Sequence, residues 1–152
     1  MLSHKRSADG LSLRIGPHQY RIEEDLLFWQ PHGEVSPDDA RGVVAVVLEI
    51  HKRHGRVLYL LDGRDGKPLG PDTRRIVVDS LRPLRGSLAV ASFGMSWLNR
   101  VAGLLLFRAA TVLTGFDLPF KFAATEAEAR AFLSEHRKGL GQDKAPEVRS
   151  ER

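Results

Sequence analysis

The chain has 152 residues, 42% of them hydrophobic and 28% charged, with a formal net charge of +4 and no cysteine. That length suits one domain built around one core. The missing cysteines exclude disulfides, thiolate metal ligands and cysteine nucleophiles, and they fit a cytoplasmic location.

The basic excess sits partly at the two ends, in Lys5 and Arg6 and then in Arg137, Lys138, Lys144, Arg149 and Arg152. A dense basic stripe interleaved with aromatic residues is missing, so nucleic acid is not an expected partner. An anionic lipid surface is compatible with this charge. The first ten residues lack the apolar stretch of a secretory signal. They read as a flexible leader, residues 11–138 as a single domain and residues 139–152 as a disordered charged tail with too little apolar content to fold alone.

In chain order, residues 18–22 and 26–30 alternate as two strands around the polar turn Glu23-Glu24-Asp25, a hairpin whose acidic tip is expected to be solvated. Ser36-Pro37-Asp38-Asp39 then starts a helix, with a capping serine, proline at the first position and acids in the first turn. It runs to about His54, stops at Gly55 and points Ala40, Val43, Val44, Val47, Leu48 and Ile50 inward. Residues 56–61 form an apolar run, the pattern of a strand covered on both faces. A turn-rich loop, 62–70, leads to a helix over about 71–81 in which Asp72 or Thr73 serves as cap, and Arg82-Pro83 ends it. A buried strand at 87–92, a helix at 96–114, an edge strand at 119–123 and a final helix opened by the capping box Thr125-Glu126-Ala127-Glu128 complete the order. Strand–helix alternation after an opening hairpin predicts an α/β fold: a mixed, mostly parallel sheet of about five strands packed by about four helices.

The helix at 96–114 carries more apolar surface than one buried face needs. At 100° per residue, Leu98, Val101, Ala102, Leu105, Leu106, Ala109, Val112 and Leu113 form the face expected to meet the core. Trp97, Leu104 and Phe107 project opposite, beside Arg100, Arg108 and Thr111, and a cluster of large apolar groups on a wet face marks a contact surface. Arg100 and Arg108 interrupt the apolar run, so the helix does not span a membrane but can lie on one.

The segments L-L-F-W-Q-P-H-G-E-V-S-P-D-D-A at 26–40, L-L-D at 60–62 and A-T-E-A-E-A-R-A-F-L at 124–133, in this element order, resemble the STAS/SpoIIAA-like family of anti-sigma-factor antagonists. The likeness is to the uncharacterised bacterial branch that shares its fold name with the CRAL-TRIO lipid-transfer domains. It implies a non-enzymatic regulatory or interaction domain. In the antagonists a serine soon after an aspartate opens the helix behind the buried strand and is phosphorylated. Here Asp62 is followed by G-R-D-G-K-P-L-G-P-D-T, and Thr73 is the only hydroxyl nearby.

The residues themselves provide no catalytic constellation. No G-x-S-x-G elbow surrounds a serine, and Lys67 is followed by proline, which breaks the phosphate-loop pattern. Asp62 and Asp65 lack the further ligands of a calcium loop, and His51 with His54 lacks a third metal ligand, so neither metal nor cofactor is expected. Two sites follow. Trp97, Arg100, Leu104, Phe107 and Arg108 would bind a protein partner or a second copy of the chain, or alternatively a peripheral lipid surface. Asp62, Arg64, Lys67, Thr73 and Arg74, at the strand-to-helix loop where open α/β sheets place ligands, would form an anion or switch site.

Overall fold

The computed structural model describes residues 3–7, 10–115 and 118–141, with side chains from Ser12 onward. Seven strands form one sheet: β1 Ser3–Ser7, β2 Gly10–Ile15, β3 His18–Glu23, β4 Leu26–Gln30, β5 Val57–Asp62, β6 Leu88–Phe93 and β7 Phe120–Ala123. They lie in sequence order across it. The first four pair antiparallel, and β4 to β7 pair parallel. The helices are α1 Pro37–His54, α2 Pro71–Ser80, α3 Trp97–Thr114 and α4 Glu126–Arg137. This is the expected mixed α/β sheet with four helices and β7 at an edge, enlarged by two strands at the opposite edge, and with three antiparallel and three parallel pairings it is evenly divided where a mostly parallel sheet was expected.

The two extra strands correct the reading of the N-terminus. Ser3–Ser7 pairs with Gly10–Ile15, where a loose leader was expected. The strand is hard to see in sequence because a polar S-H-K-R-S run has no apolar alternation, and its ladder comes from the neighbouring strand. Gly16 makes the turn from β2 to β3 with φ +58°, and a side chain there would meet the Asp39 carboxylate, with Cβ 2.8 Å from Oδ1. At the other end, Leu140 packs into the core and Gly141 N–H donates to Gly86 O at 2.8 Å, so the folded body passes residue 138. Residues 142–152 of the expected tail lie outside the described residues.

Strand alternation sends side chains to two cores. Leu27, Trp29, Val57 and Val90 face α1 and α2, joined by Val43, Val47 and Ile50 of α1. Leu58, Leu60, Ala89, Ala91 and Phe93 face α4, which seats Ala129 and Leu133 on them. α1 starts at its expected cap, where Ser36 Oγ accepts from Asp39 N–H, and the structure adds the return bond of a capping box, in which Asp39 Oδ2 accepts from Ser36 N–H. Leu48 of its expected inward stripe is exposed. The cap of α2 differs from expectation. Gly70 holds that position without a side-chain bond. Thr73 is buried instead, and its hydroxyl donates to Val35 O at 3.0 Å, tying α2 to the segment before α1. Replacing Thr73 by valine keeps the shape and removes that bond, so a loss of about 1 kcal/mol is expected. Thermal unfolding should show it as a Tm drop of about 3 °C; an unchanged Tm would mean the bond contributes nothing.

Candidate functional site: the third helix and the cavity beneath it

α3 begins at its expected cap, where Ser96 Oγ accepts from Asn99 N–H, and ends at Gly115. Its rotation about its own axis is not the expected one. Trp97 (77% exposed), Leu98 (62%), Val101, Leu105 (61%), Val112 (82%) and Leu113 are all exposed, with Leu105 and Leu113 at the rim of the space under the helix, so most of the face assigned to the core is open to water. Phe107, expected to project outward, turns in and stacks on Phe120 with ring centroids 4.4 Å apart. Leu104 is half-buried, and Ala110 is the helix's one buried residue among those described.

Three contacts explain the rotation. Gly103 lets α3 approach β7 so closely that a Cβ there would sit 3.2 Å from Phe122 Cζ. The stack of Phe107 on Phe120 orients the next turn. Asn99 Nδ2 donates to Gly66 O at 2.9 Å and pins the helix start to the loop after β5. A helix-wide apolar moment weighs total grease and does not register that a glycine and one ring can decide which face docks. Of the expected contact residues, Trp97, Arg100 and Arg108 are on the outer face, while Leu104 and Phe107 are not fully available to a partner. Leu98, Val101, Leu105 and Val112 take their place on one stripe, at spacings of three, four and seven residues.

Beneath α3 lies a cavity of about 750 Å³, walled by the sheet, α1, α2 and α3. That volume is in the range of small-molecule sites. Its walls are mainly apolar, with Trp29, Val43, Val47, Val90, Leu106 and Phe122 among them. Four hydroxyl residues interrupt this surface, Tyr59, Thr73, Ser80 and Ser92; Thr73 and Ser80 donate to the carbonyls of Val35 and Val77. Tyr59 is enclosed enough that burial pushes its phenol well above the ordinary tyrosine pKa. Ser92, 3% exposed, has a buried Oγ without a hydrogen-bond partner among the described residues. An unsatisfied buried hydroxyl costs about 1–3 kcal/mol, so a fold does not carry one casually.

The loop after β5 forms part of the cavity's rim. Asp62 is buried and tied to Arg64 by Nε to Oδ1 at 2.9 Å and Nη2 to Oδ2 at 2.7 Å, with Gln30 Nε2 adding a bond at 3.3 Å. Burial alone would raise the Asp62 pKa, but these bonds outweigh it and hold the carboxyl below the ordinary aspartate value. Arg64 is thus neutralised and separate from the other expected anion-site residues. Lys67, Thr73 and Arg74 line the cavity, as does Arg75. Arg74 Nη1 donates to Leu69 O at 2.8 Å and Arg75 lies 3.9 Å from Asp72, whereas Lys67 has no ion-pair partner among the described residues.

A third cluster, at the hairpin between β3 and β4, went unseen in the sequence. The acidic tip is not solvated throughout: Asp25 is 3% exposed. Its carboxylate accepts from Arg56 Nε at 2.7 Å and from Arg137 Nε and Nη2, both at 2.9 Å. Glu23 takes a fork from Arg130, which also bonds Glu126 and covers the Phe28 ring with Arg21. Asp25 and Arg137 are 112 positions apart, and no local pattern pairs them. This cluster joins α4 to the hairpin. His51 and His54 remain at the end of α1, and no group of three metal-ligating side chains occurs among the described residues.

This architecture is an α/β sheet of the SpoIIAA-like type. The resemblance is shown by solved structures. An uncharacterised DUF3478-family protein from Shewanella loihica with a SpoIIAA-like fold superimposes with a TM-score of 0.53 at 17% identity, over 88% of this chain and 92% of that one. The NMR structure of the protein TM1081 matches with a TM-score of 0.51 at 18% identity, over 76% of this chain and 86% of that one. At such identities the likeness establishes the fold alone. No family model matches the sequence, and no curated protein does.

Proposed function

We propose that this is a non-enzymatic SpoIIAA-like docking module that attaches to an anionic membrane surface through the outer face of α3. One observation carries the reading: the helix exposes six large apolar side chains, and its only charges are two arginines. No carboxylate occurs anywhere between Asp79 and Asp117. A helix presenting Trp, Leu and Val beside arginine suits the interface between headgroups and acyl chains. No helix among the described residues is long and apolar enough to cross a membrane, so attachment would be peripheral.

Charge argues against a second copy of the chain as the occupant. Two such helices packed antiparallel about Leu105 would bring Arg100 of one close to Arg108 of the other, with no carboxylate on either helix to separate them. Anionic lipid supplies the missing negative charge, and it accommodates a convex rod without a matching groove.

The test is sedimentation with phosphatidylcholine vesicles, with and without phosphatidylglycerol. Binding should require the anionic lipid and weaken with salt. Trp97 emission should shift to the blue on binding, while buried Trp29 contributes a constant signal. The double variant L98E/V112E should lose at least about tenfold in vesicle affinity, since burying a large aliphatic side chain is worth about 1.5–3 kcal/mol. Undiminished vesicle binding by that variant would sink the reading. A mass near twice 16.9 kDa that the same substitutions abolish would give the face to a second copy instead.

A further inference from the structure

The cavity beneath α3 shares Leu105 and Leu113 with the helix's exposed face, but the rest of its wall is its own and its chemistry is more specific. Its walls are apolar, which selects a hydrocarbon body. Its polar features are few and uneven. Lys67 and Arg74 come from the loop after β5 and the first turn of α2, with Arg75 beside them 3.9 Å from Asp72, whereas Lys121 of β7 pairs with Ala91 and turns its charge to Glu128 on the α4 side of the sheet. The one carboxylate on the wall, Asp79, sits at the far end of α2. One end of the cavity is therefore cationic, and that is the end where the parallel strands finish.

Ser92 belongs to that end. It is the next-to-last residue of β6 and pairs with Leu61 and Phe122 on the neighbouring strands. Side chains alternate along the strand, so Leu88, Val90 and Ser92 all face the cavity. From Leu88 to Ser92 is about 13 Å of strand, apolar at the start and ending in an unpartnered hydroxyl. Burial without a partner is what a hydroxyl held for a ligand's polar head would show in the protein alone.

We propose that this cavity binds a single-chain anionic amphiphile, an alkyl carboxylate whose headgroup meets Ser92, Lys67 and Arg74 and whose chain runs along β6 towards Leu88. A neutral hydrocarbon would leave the cationic end without a counter-charge. A small hydrophilic anion would leave the apolar walls unused. The inference does not depend on the docking role of α3, and its test uses no membrane.

The probe is decanoate below its micelle concentration, with decan-1-ol as the neutral analogue, read by calorimetry and thermal unfolding of the full chain. Decanoate should bind one per protein and raise Tm with concentration. The charge reversal K67E/R74E should weaken decanoate at least tenfold and leave decan-1-ol within twofold. Ser92→Ala should keep or raise the unliganded Tm, because it removes an unpartnered hydroxyl, yet weaken decanoate severalfold. Ala102→Trp, which places an indole in the cavity from α3, should abolish binding while circular dichroism stays unchanged. Two results would overturn the proposal: no saturable decanoate binding by the parent protein, or binding lost in L98E/V112E but retained in K67E/R74E. The second pattern would place the chain on the outer face, whereas failure of vesicle docking with decanoate binding intact would remove only the membrane reading.

Discussion

Asp25→Asn is expected to destabilise the protein by about 2–3 kcal/mol at neutral pH. The carboxylate is enclosed between two guanidinium groups, and asparagine keeps its volume while removing its charge. Arg56 and Arg137 are then left facing each other without an anion. Removing one partner of a fully buried ion pair costs about 3–5 kcal/mol. The lower figure applies here because the two arginine side chains are still 37% and 39% exposed, and water screens part of their repulsion.

The pH dependence identifies the cause. Burial pulls the Asp25 pKa upward, but the bonds and charges of Arg137 and Arg56 outweigh it and leave the carboxyl below its ordinary value of 3.8. A carboxyl whose pKa is lowered by folding contributes its stability fully above the unfolded value, and that contribution is lost as pH falls through the folded value. The urea midpoints of the parent and of D25N should therefore differ most at neutral pH and converge below pH 3.8. A gap that stays constant across that range would assign the loss to packing and not to charge. Glu23, held below its usual pKa by its hydrogen bonds to Arg130, adds to the acid sensitivity of both proteins alike.

His18→Ala should cost about 3 kcal/mol, making it comparable or larger. The imidazole is fully buried against Trp29, with ring centroids 5.3 Å apart. Its Nδ1 accepts from His32 N–H at 2.9 Å, so the ring proton is on Nε2, which donates to Asp39 Oδ2 at 3.1 Å. One side chain thus links β3, the turn after β4 and the capping box of α1. Alanine leaves a cavity of ring size, an N–H without its acceptor and a capping aspartate without its support. Denaturant titration measures the total, and amide exchange at His32 locates it. A loss below about 1 kcal/mol, with exchange at His32 unchanged, would show that the neighbouring backbone reorganises to replace the ring.

Asp39 also shows how far local chemistry carries. As an acid in the first turn after Ser36, its place at the positive end of the helix was legible from four letters of sequence. Its service to His18, and the reason a glycine must stand at position 16, come from a strand that crosses α1 in space. The anion-loop residues divide in the same way. Their place after a buried strand was legible, but Arg64 closes on Asp62 two residues away, while Lys67 and Arg74 join a cavity whose other walls come from β4, β6, α1 and α3.

From the sequence alone, periodicity, turn residues and capping determine nine of the elements within a residue or two: β3, β4, α1, β5, α2, β6, α3, β7 and α4. That is possible because a 3.6-residue or two-residue repeat and a side chain that caps its own helix are local properties. The acid-free stretch around α3 is local too, and the charge argument for its outer face rests on it. Only the tertiary structure decided which face of α3 turns inward, because Gly103 against Phe122 and Phe107 against Phe120 are contacts with residues many positions away. It also decided that Asp25 is buried between two arginines and that Ser92 ends on a cavity wall without a partner. Burial and pairing of this kind depend on which distant segments arrive, and a linear pattern holds no term for that.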